Sequence, residues 1–76
     1  MPLIDDASTD WSAPVTLAAD ELWQVRAGVA FITTDAAPEA DGGWVLYRGR
    51  SLRLSAGLDV RYRRGPGETL IARGAV

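Results

Sequence analysis

The sequence contains no cysteine and no histidine, and all eight of its basic residues are arginine. Without Cys and His it can form no disulfide, no thiolate or imidazole zinc site, and no catalytic arrangement built on either side chain. No apolar run approaches the roughly 20 residues of a membrane span, and the first residues do not resemble a signal peptide. We therefore expect no enzyme activity, no cofactor, no bound metal and no membrane contact.

Few large side chains are available for a core in a chain of 76 residues and 8.1 kDa. A chain of this size buries only about 60% of the surface that its unfolded form exposes. Small domains often gain stability from disulfides, a metal or partner subunits. Because the first two are excluded by composition, we expect a homo-oligomer.

The two parts of the chain carry opposite charge, although the net charge is only −2. Residues 1–42 contain eight acidic residues and one arginine, giving −7, and residues 43–76 contain seven arginines and two acidic residues, giving +5. Such asymmetry is compatible with a solvated surface or with nucleic-acid binding. It is also compatible with contact between copies of the chain, acidic arm against basic body. The acidic overall balance disfavours nucleic acid.

The chain divides into an extended N-terminal arm over residues 1–20 and a β domain over residues 21–76. The arm contains two prolines and a small polar segment, which favour an irregular chain. Trp11 interrupts it, and an exposed tryptophan offers a large apolar area to a binding partner. With Leu3 and Ile4 it forms the set of expected interface anchors of the arm.

Alternation of period two is the stronger pattern from residue 21 onward. It places Trp23 and Val25 on one face of a strand over residues 21–26, although a short helix over residues 18–26 remains the alternative. Residues 29–34 are β-branched and aromatic, as in a central strand. Residues 35–42 form an acidic loop.

Glycines recur every eight residues in the second block, at Gly49, Gly57 and Gly65. They separate strands predicted over residues 44–48, 51–55 and 58–63, and a turn at residues 65–67 leads to a closing strand over residues 69–73. Short strands at this spacing predict an all-β fold, a small compact β-sandwich or barrel of about six or seven short strands.

Three sets of residues were candidates for chemistry, and none predicts a site. The first is an acidic cluster without the glycine-kinked loop of a Ca²⁺ site: Asp5, Asp6 and Asp10. The second shares one loop with nothing to raise a pKa: Asp35, Glu39 and Asp41. The third is the Gly65–Gly67 turn, which follows two arginines but precedes no helix that could complete a phosphate cradle. We therefore predict no catalytic, cofactor-binding or metal-binding residue.

Arginines at outward strand positions form a second expected interface, a basic face made of Arg48, Arg50, Arg53, Arg61 and Arg63. The guanidinium fork binds carboxylates and phosphates equally well. Three interpretations stay open: a solvated strand face, a docking face for acidic residues of a neighbouring chain, and a nucleic-acid surface. Tyr62 is in phase with Val60 and hence in the core, which weakens the third because single-strand binding needs exposed aromatic rings.

Residues 23–34, 46–54 and 57–63 resemble segments of small virion proteins of tailed phages and phage-like gene transfer agents. In those chains a strand leads to an acidic, proline-containing loop, and a Leu-x-x-Gly-x-x-Leu-x-Leu hairpin and a closing Val-x-Tyr-x-Arg strand follow. The likeness covers roughly residues 15–76. Cupin-like barrels share the glycine spacing, but they bind metal through histidine, which this chain lacks.

The resemblance implies a capsid decoration (cement) protein that binds the outer capsid surface and stabilises it as a homo-oligomer, most often a trimer. Its partners would be the major capsid protein and copies of itself, and it would be made in the host cytoplasm and located on the virion. The alternatives are a head-spike base or tail-fibre-associated virion protein and, in another class, a small ligand- or nucleic-acid-binding β module. On this hypothesis, deleting residues 1–14 leaves the β domain folded but abolishes attachment.

Overall fold

The structure is a computed structural model that describes residues 3–39 and 42–76. In these ranges the chain forms eight strands and no helix. The strands are β1 (Leu3–Ile4), β2 (Val15–Thr16), β3 (Glu21–Ala27), β4 (Val29–Thr33), β5 (Trp44–Tyr47), β6 (Ser51–Leu54), β7 (Asp59–Arg64) and β8 (Leu70–Ala75). The all-β prediction is confirmed, with eight short strands instead of six or seven.

The strands form two antiparallel sheets of four, ordered β1-β8-β3-β6 (the first sheet) and β2-β7-β4-β5 (the second sheet). Strand β1 pairs with β8, β2 with β7, β3 with β6 and β4 with β5, so the chain is one long hairpin of nested strand pairs. Contacts of β3 with β8 and of β4 with β7 complete the sheets. This connectivity is that of a jelly roll.

The core lies between the two sheets and is built from the alternate residues of the central strands. Trp23, Val25, Ile32 and Val60 have no exposed surface. The ring of Trp23 meets that of Tyr62 edge-on, with 6.1 Å between ring centres. The face that Trp23 and Val25 share is the inner one, and Val60 and Tyr62 face the core as alternation predicts, whereas Leu58, expected to face inward with them, is 36% exposed and precedes β7. The helix considered over residues 18–26 does not form because β3 occupies most of that segment.

The structure does not show the extended arm expected over residues 1–20. Ile4 of β1 and Leu17, next to β2, are 9% and 2% exposed and belong to the core. Between these strands, the carbonyl of Ser8 accepts from the N–H of Arg64 at 2.7 Å. The small polar residues that suggested an arm instead form the connection that carries the chain from the first sheet to the second. Residues 1 and 2 of that range lie outside the described part.

Glu21 and Arg73 form an ion pair on the inner side of the first sheet. The Nε and Nη2 groups of Arg73 donate to Oε1 and Oε2 of Glu21 at 2.9 and 2.8 Å. The indole N–H of Trp23 also donates to Oε1, at 3.0 Å. The hydrogen bond from Arg73 holds the pKa of Glu21 below its ordinary value of 4.5, against the opposing effect of burial. The ion pair therefore lies at the border of the core, beside Trp23, the largest buried side chain.

Replacing Arg73 by methionine is expected to lower the free energy of unfolding at pH 7 by about 2 kcal/mol, because it leaves a largely buried carboxylate without its charged donor. Since the pKa of Glu21 is lowered by folding, the stability that this carboxylate supplies is present above pH 4.5 and is lost as the pH falls below that value. Urea unfolding should therefore show that the free energy of unfolding decreases less between pH 7 and pH 3 in Arg73→Met than in the parent chain.

The matched control is Arg53→Met, which removes the other ion pair described. Arg53 and Asp20 are 3.7 Å apart, and their side chains are 68% and 47% exposed. Exposed pairs of this kind contribute less than about 1 kcal/mol. Equal losses of stability in the two variants would contradict the role assigned to Arg73.

Candidate functional site

The three residues expected to anchor an arm lie in three different environments. The side chain of Leu3 is 57% exposed, whereas that of Ile4 is buried in the core. Trp11 is partly buried, and its indole N–H donates to the carbonyl of Glu39 at 2.8 Å. Ile4 is thus a core residue and Trp11 is held by the chain itself, which leaves Leu3 as the exposed member of the set.

The arginines expected to form one basic face are divided between the two sheets. Arg61 and Arg63 lie on β7 in the second sheet, and Arg53 lies on β6 in the first. Arg48 and Arg50 are exposed in the turn between β5 and β6. The structure therefore does not bring these five side chains onto one sheet face.

Arg61 and Arg63 are held by contacts within the chain, in addition to the exposed ion pair of Arg53 with Asp20. The Nη1 group of Arg61 donates to the carbonyl of Ser12 at 3.1 Å. The guanidinium of Arg63 lies 3.9 Å from the ring centre of Phe31 and 5.3 Å from that of Trp11, a cation–π arrangement between two rings. Its Nε atom is buried and has no hydrogen-bond partner within residues 3–39 and 42–76. Arg63 is therefore part of the packing of the second sheet.

The strand β5 carries the largest exposed apolar side chains of any strand described. Trp44, Val45 and Tyr47 are 52%, 43% and 62% exposed. Val45 and Tyr47 share the outer face of the second sheet with their β4 partners Phe31 and Val29, both partly buried. Trp44 pairs with the buried Ile32 and so projects from the other face of β5. We give the name β5 surface to five residues that lie around β5 on both of its faces: Val29, Phe31, Trp44, Val45 and Tyr47. An uncharged run between Gly43 and Arg48 was its only signal in the sequence.

The backbone of β5 also has an open side, because β5 is the last strand of the second sheet. The N–H of Gly65 donates to the carbonyl of Val29, so Val29 directs its backbone polar groups towards β7. Since these directions alternate along an antiparallel strand, Ala30 faces β5 and pairs there with Leu46. The N–H and carbonyl of Val45, the preceding residue, therefore point away from the sheet.

The other sheet edges are short or carry residues that discourage pairing. β1 and β2 have two residues each, and Asp5 follows the first while Pro14 precedes the second. β6 presents the charged side chain of Arg53. Short edges, charges and proline are the usual protections of an edge strand. Strand β5 is four residues long and itself contains no charged residue and no proline, although Arg48 follows it.

A second apolar surface lies on the outer face of the first sheet. Leu3 and Leu22 are 57% and 42% exposed, and they project on either side of β8. The β8 residues paired with them are Ala72, which is 1% exposed, and Gly74. The partly buried Gln24 also pairs with Ala72 and lies on the same face of β3 as Leu22. We give the name β8 surface to Leu3, Leu22, Ala72 and Gly74.

A cavity with a volume of about 500 Å³ lies beside the 65–67 turn. Asp5, Glu68 and Arg64 supply its charged lining, but the guanidinium of Arg64 donates to the carbonyls of Gly65 and Gly67 at 3.3 and 3.0 Å. Its one cation is therefore used to hold the 65–67 turn. The arrangement offers no convergent set of groups for a small ligand.

The acidic residues considered as metal ligands do not come together. Within the described ranges, no group of three or more His, Cys, Asp or Glu side chains is placed to hold a metal ion, and Asp41 lies outside those ranges. Asp6 instead accepts a hydrogen bond of 2.7 Å from the hydroxyl of Tyr62. Burial, and then this bond, raise the pKa of Tyr62 to about 12. Asp6 thus tethers the connection after β1 to the core.

No protein family model, curated protein or solved structure matches this chain. Among the residues that the structure describes, none forms a helix long and apolar enough to cross a membrane. The candidate functional sites are therefore defined by geometry alone, as the β5 surface and the β8 surface.

Proposed function

We propose that the protein is a non-catalytic structural protein that acts by assembly, as a capsid decoration protein of a phage or phage-like particle. The observation that carries the proposal is the presence of two exposed apolar surfaces on different sheets. A decoration protein needs one surface for its own copies and another for the capsid. The β5 surface and the β8 surface meet these two needs.

The side chains of both surfaces are of the kind that dominates protein interfaces. Trp44 and Tyr47 belong to the residue types that most often contribute large binding energies. Leu3 and Leu22 offer two exposed apolar side chains on either side of β8, which suits a contact with a capsid subunit. A rigid β body is well suited to holding such surfaces at fixed positions.

The fold supports the same proposal at a coarser level. Jelly rolls occur in viral capsid proteins, but also in lectins and cupins, so the topology is compatible with a virion protein without identifying one. Since β1 and β2 pair with strands of the two sheets and Ile4 and Leu17 belong to the core, we assign attachment to the β8 surface instead of an arm. The partners would be the major capsid protein and copies of the chain, on the virion surface.

The proposal predicts that the chain copurifies with particles. Particles from the source organism would be banded on a density gradient and their proteins quantified by mass spectrometry. We expect the chain in the band of filled capsids at a fixed ratio to the major capsid protein. Its absence from that band would contradict the capsid assignment, and salt-dependent binding of DNA by the purified chain would favour a nucleic-acid-binding module instead.

A matched pair of variants locates the contact. Leu22→Ser is expected to reduce the amount of chain on particles at least tenfold, because it removes an exposed apolar side chain from the β8 surface. Arg26→Ser changes another exposed residue of β3 and should leave occupancy unchanged. Equal occupancy of the two variants would exclude the β8 surface as the capsid contact.

A further inference from the structure

We infer that β5 pairs with β5 of a second copy of the chain, antiparallel about a twofold axis, so that two four-stranded sheets become one sheet of eight strands. The inference deepens the self-association that the proposed function requires. It names the strand, the direction and the symmetry of the contact. It concerns the β5 surface alone and leaves the β8 surface available for another partner.

The backbone of β5 is ready for such a contact. The N–H and carbonyl of Val45 point away from β4, and no described residue bonds them. An added strand would satisfy both groups and cover the side chain of Val45, which is 43% exposed. Strand addition at a free edge is a common mode of protein association, in which backbone hydrogen bonds supply affinity.

The charges at the two ends of β5 determine the direction of pairing. Arg48 and Arg50 follow its last residue and are exposed. The loop before its first residue carries Asp35 and Glu39, also exposed. An antiparallel pair brings the basic end of one strand beside the acidic end of the other, whereas a parallel pair would place like charges together. Charge complementarity therefore selects a second copy in antiparallel orientation.

The register follows from the side chains. If Val45 lies opposite Val45 of the second copy, Tyr47 lies opposite Gly43, which has no side chain and leaves room for the phenol ring. In the same register Arg48 reaches the end of the acidic loop of the second copy. Because each strand presents the same surface to the other, the contact closes with two copies. The inference therefore predicts a dimer, whereas the resemblance implied a trimer.

Proline at position 45 tests the backbone contact. Val45→Pro removes an N–H that faces outward, so it should keep the pairing with β4 but block the second copy. Ser51→Pro is the matched control, because Ser51 is an exposed residue of β6, the edge strand of the other sheet. By light scattering at micromolar concentration, we expect the parent chain and Ser51→Pro at twice the mass of 8.1 kDa, and Val45→Pro at the monomer mass.

Cysteine crosslinking tests the register in the folded chain, which contains no cysteine of its own. Val45→Cys should form a covalent dimer under mild oxidation, because directly opposed residues on antiparallel strands lie within disulfide distance. Ser51→Cys should crosslink at least tenfold more slowly. A monomeric or trimeric parent chain, a dimeric Val45→Pro, or equal crosslinking of both cysteines would each overturn the inference.

These measurements use the purified chain and are independent of any capsid. A dimer that is absent from particles would contradict the proposed function and leave the β5 contact intact. A monomer that copurifies with particles would contradict the β5 contact and leave the proposed function intact. The two proposals can therefore fail separately.

Discussion

Deletion of residues 1–14 is expected to unfold the protein, not to release a dispensable arm. The deletion removes β1 and the buried side chain of Ile4. It also removes Ser12, whose N–H donates to the carbonyl of Tyr62 at 2.9 Å and whose hydroxyl accepts from the N–H of Tyr62 at 3.0 Å. The first sheet loses its edge strand, and β7 loses its bonds to Ser8 and Ser12 and keeps only the two-residue pairing with β2.

The expected loss of stability falls within the range of the whole free energy of unfolding of a domain of this size. Burial of one isoleucine contributes about 1.5–3 kcal/mol, and each lost hydrogen bond about 1 kcal/mol. The bonds from Ser8, Ser12 and Asp6 to β7 therefore bring the total to about 5 kcal/mol or more. A domain of this length has a free energy of unfolding of roughly 4–11 kcal/mol. Circular dichroism should show loss of the cooperative urea transition.

Two point variants test whether the stability supplied by residues 1–14 comes from the buried side chain of Ile4. Ile4→Ala should lower the free energy of unfolding by about 2–4 kcal/mol, because it opens a cavity in the core. Leu3→Ala, at the exposed neighbouring position, should change it by less than about 0.5 kcal/mol. A truncated chain with an unchanged urea midpoint would restore the interpretation of residues 1–14 as an arm.

The second large effect is expected for Gly28→Ala. Gly28 joins β3 to β4 with a φ of +73°, a conformation that costs other residues about 1–2 kcal/mol. A Cβ atom there would lie 2.2 Å from the carbonyl oxygen of Glu68 and 2.7 Å from Oγ1 of Thr69. Thr69 is buried and donates to the carbonyl of Val29 at 3.0 Å, so it has little room to move. We expect a loss of about 3 kcal/mol or more.

Gly57→Ala is the control that isolates the steric part of this effect. Gly57 has a φ of +85°, but a Cβ atom there would meet nothing within 4 Å. Only the conformational cost of about 1–2 kcal/mol should appear. Urea unfolding of the two variants at pH 7 measures the difference, and equal losses would show that the contact with residues 68 and 69 does not constrain the chain.

The sequence alone determined the fold class and much of the core. Alternation put Trp23 and Val25 on one face of residues 21–26 and Val60 and Tyr62 inside, and all four are buried, although Leu58, expected inside as well, is 36% exposed. This succeeds because successive side chains of a strand point to opposite faces, which is a local property of the chain. The sequence also predicted the turn at Gly49, because glycine readily takes the positive φ of 86° found there.

Only the tertiary structure decided where residues 3–17 lie. Their small polar residues and proline are typical of an irregular chain, and nothing local indicates that Ile4 pairs with Ile71 or Val15 with Val60. Such pairings join residues 45 or more positions apart, so they depend on the completed sandwich and not on neighbouring residues.

The tertiary structure also decided the outcome for the expected basic face and the location of the β5 surface. Arg53 and Arg61 each alternate outward, but strand order places them in different sheets, which divides the expected basic face. Trp44–Tyr47 reads as an ordinary apolar strand, and it becomes a binding surface only because β5 is the last strand of its sheet. Alternation fixes which way a side chain points along its own strand, whereas the identity of the neighbouring strand, or its absence, is set by contacts across the whole chain.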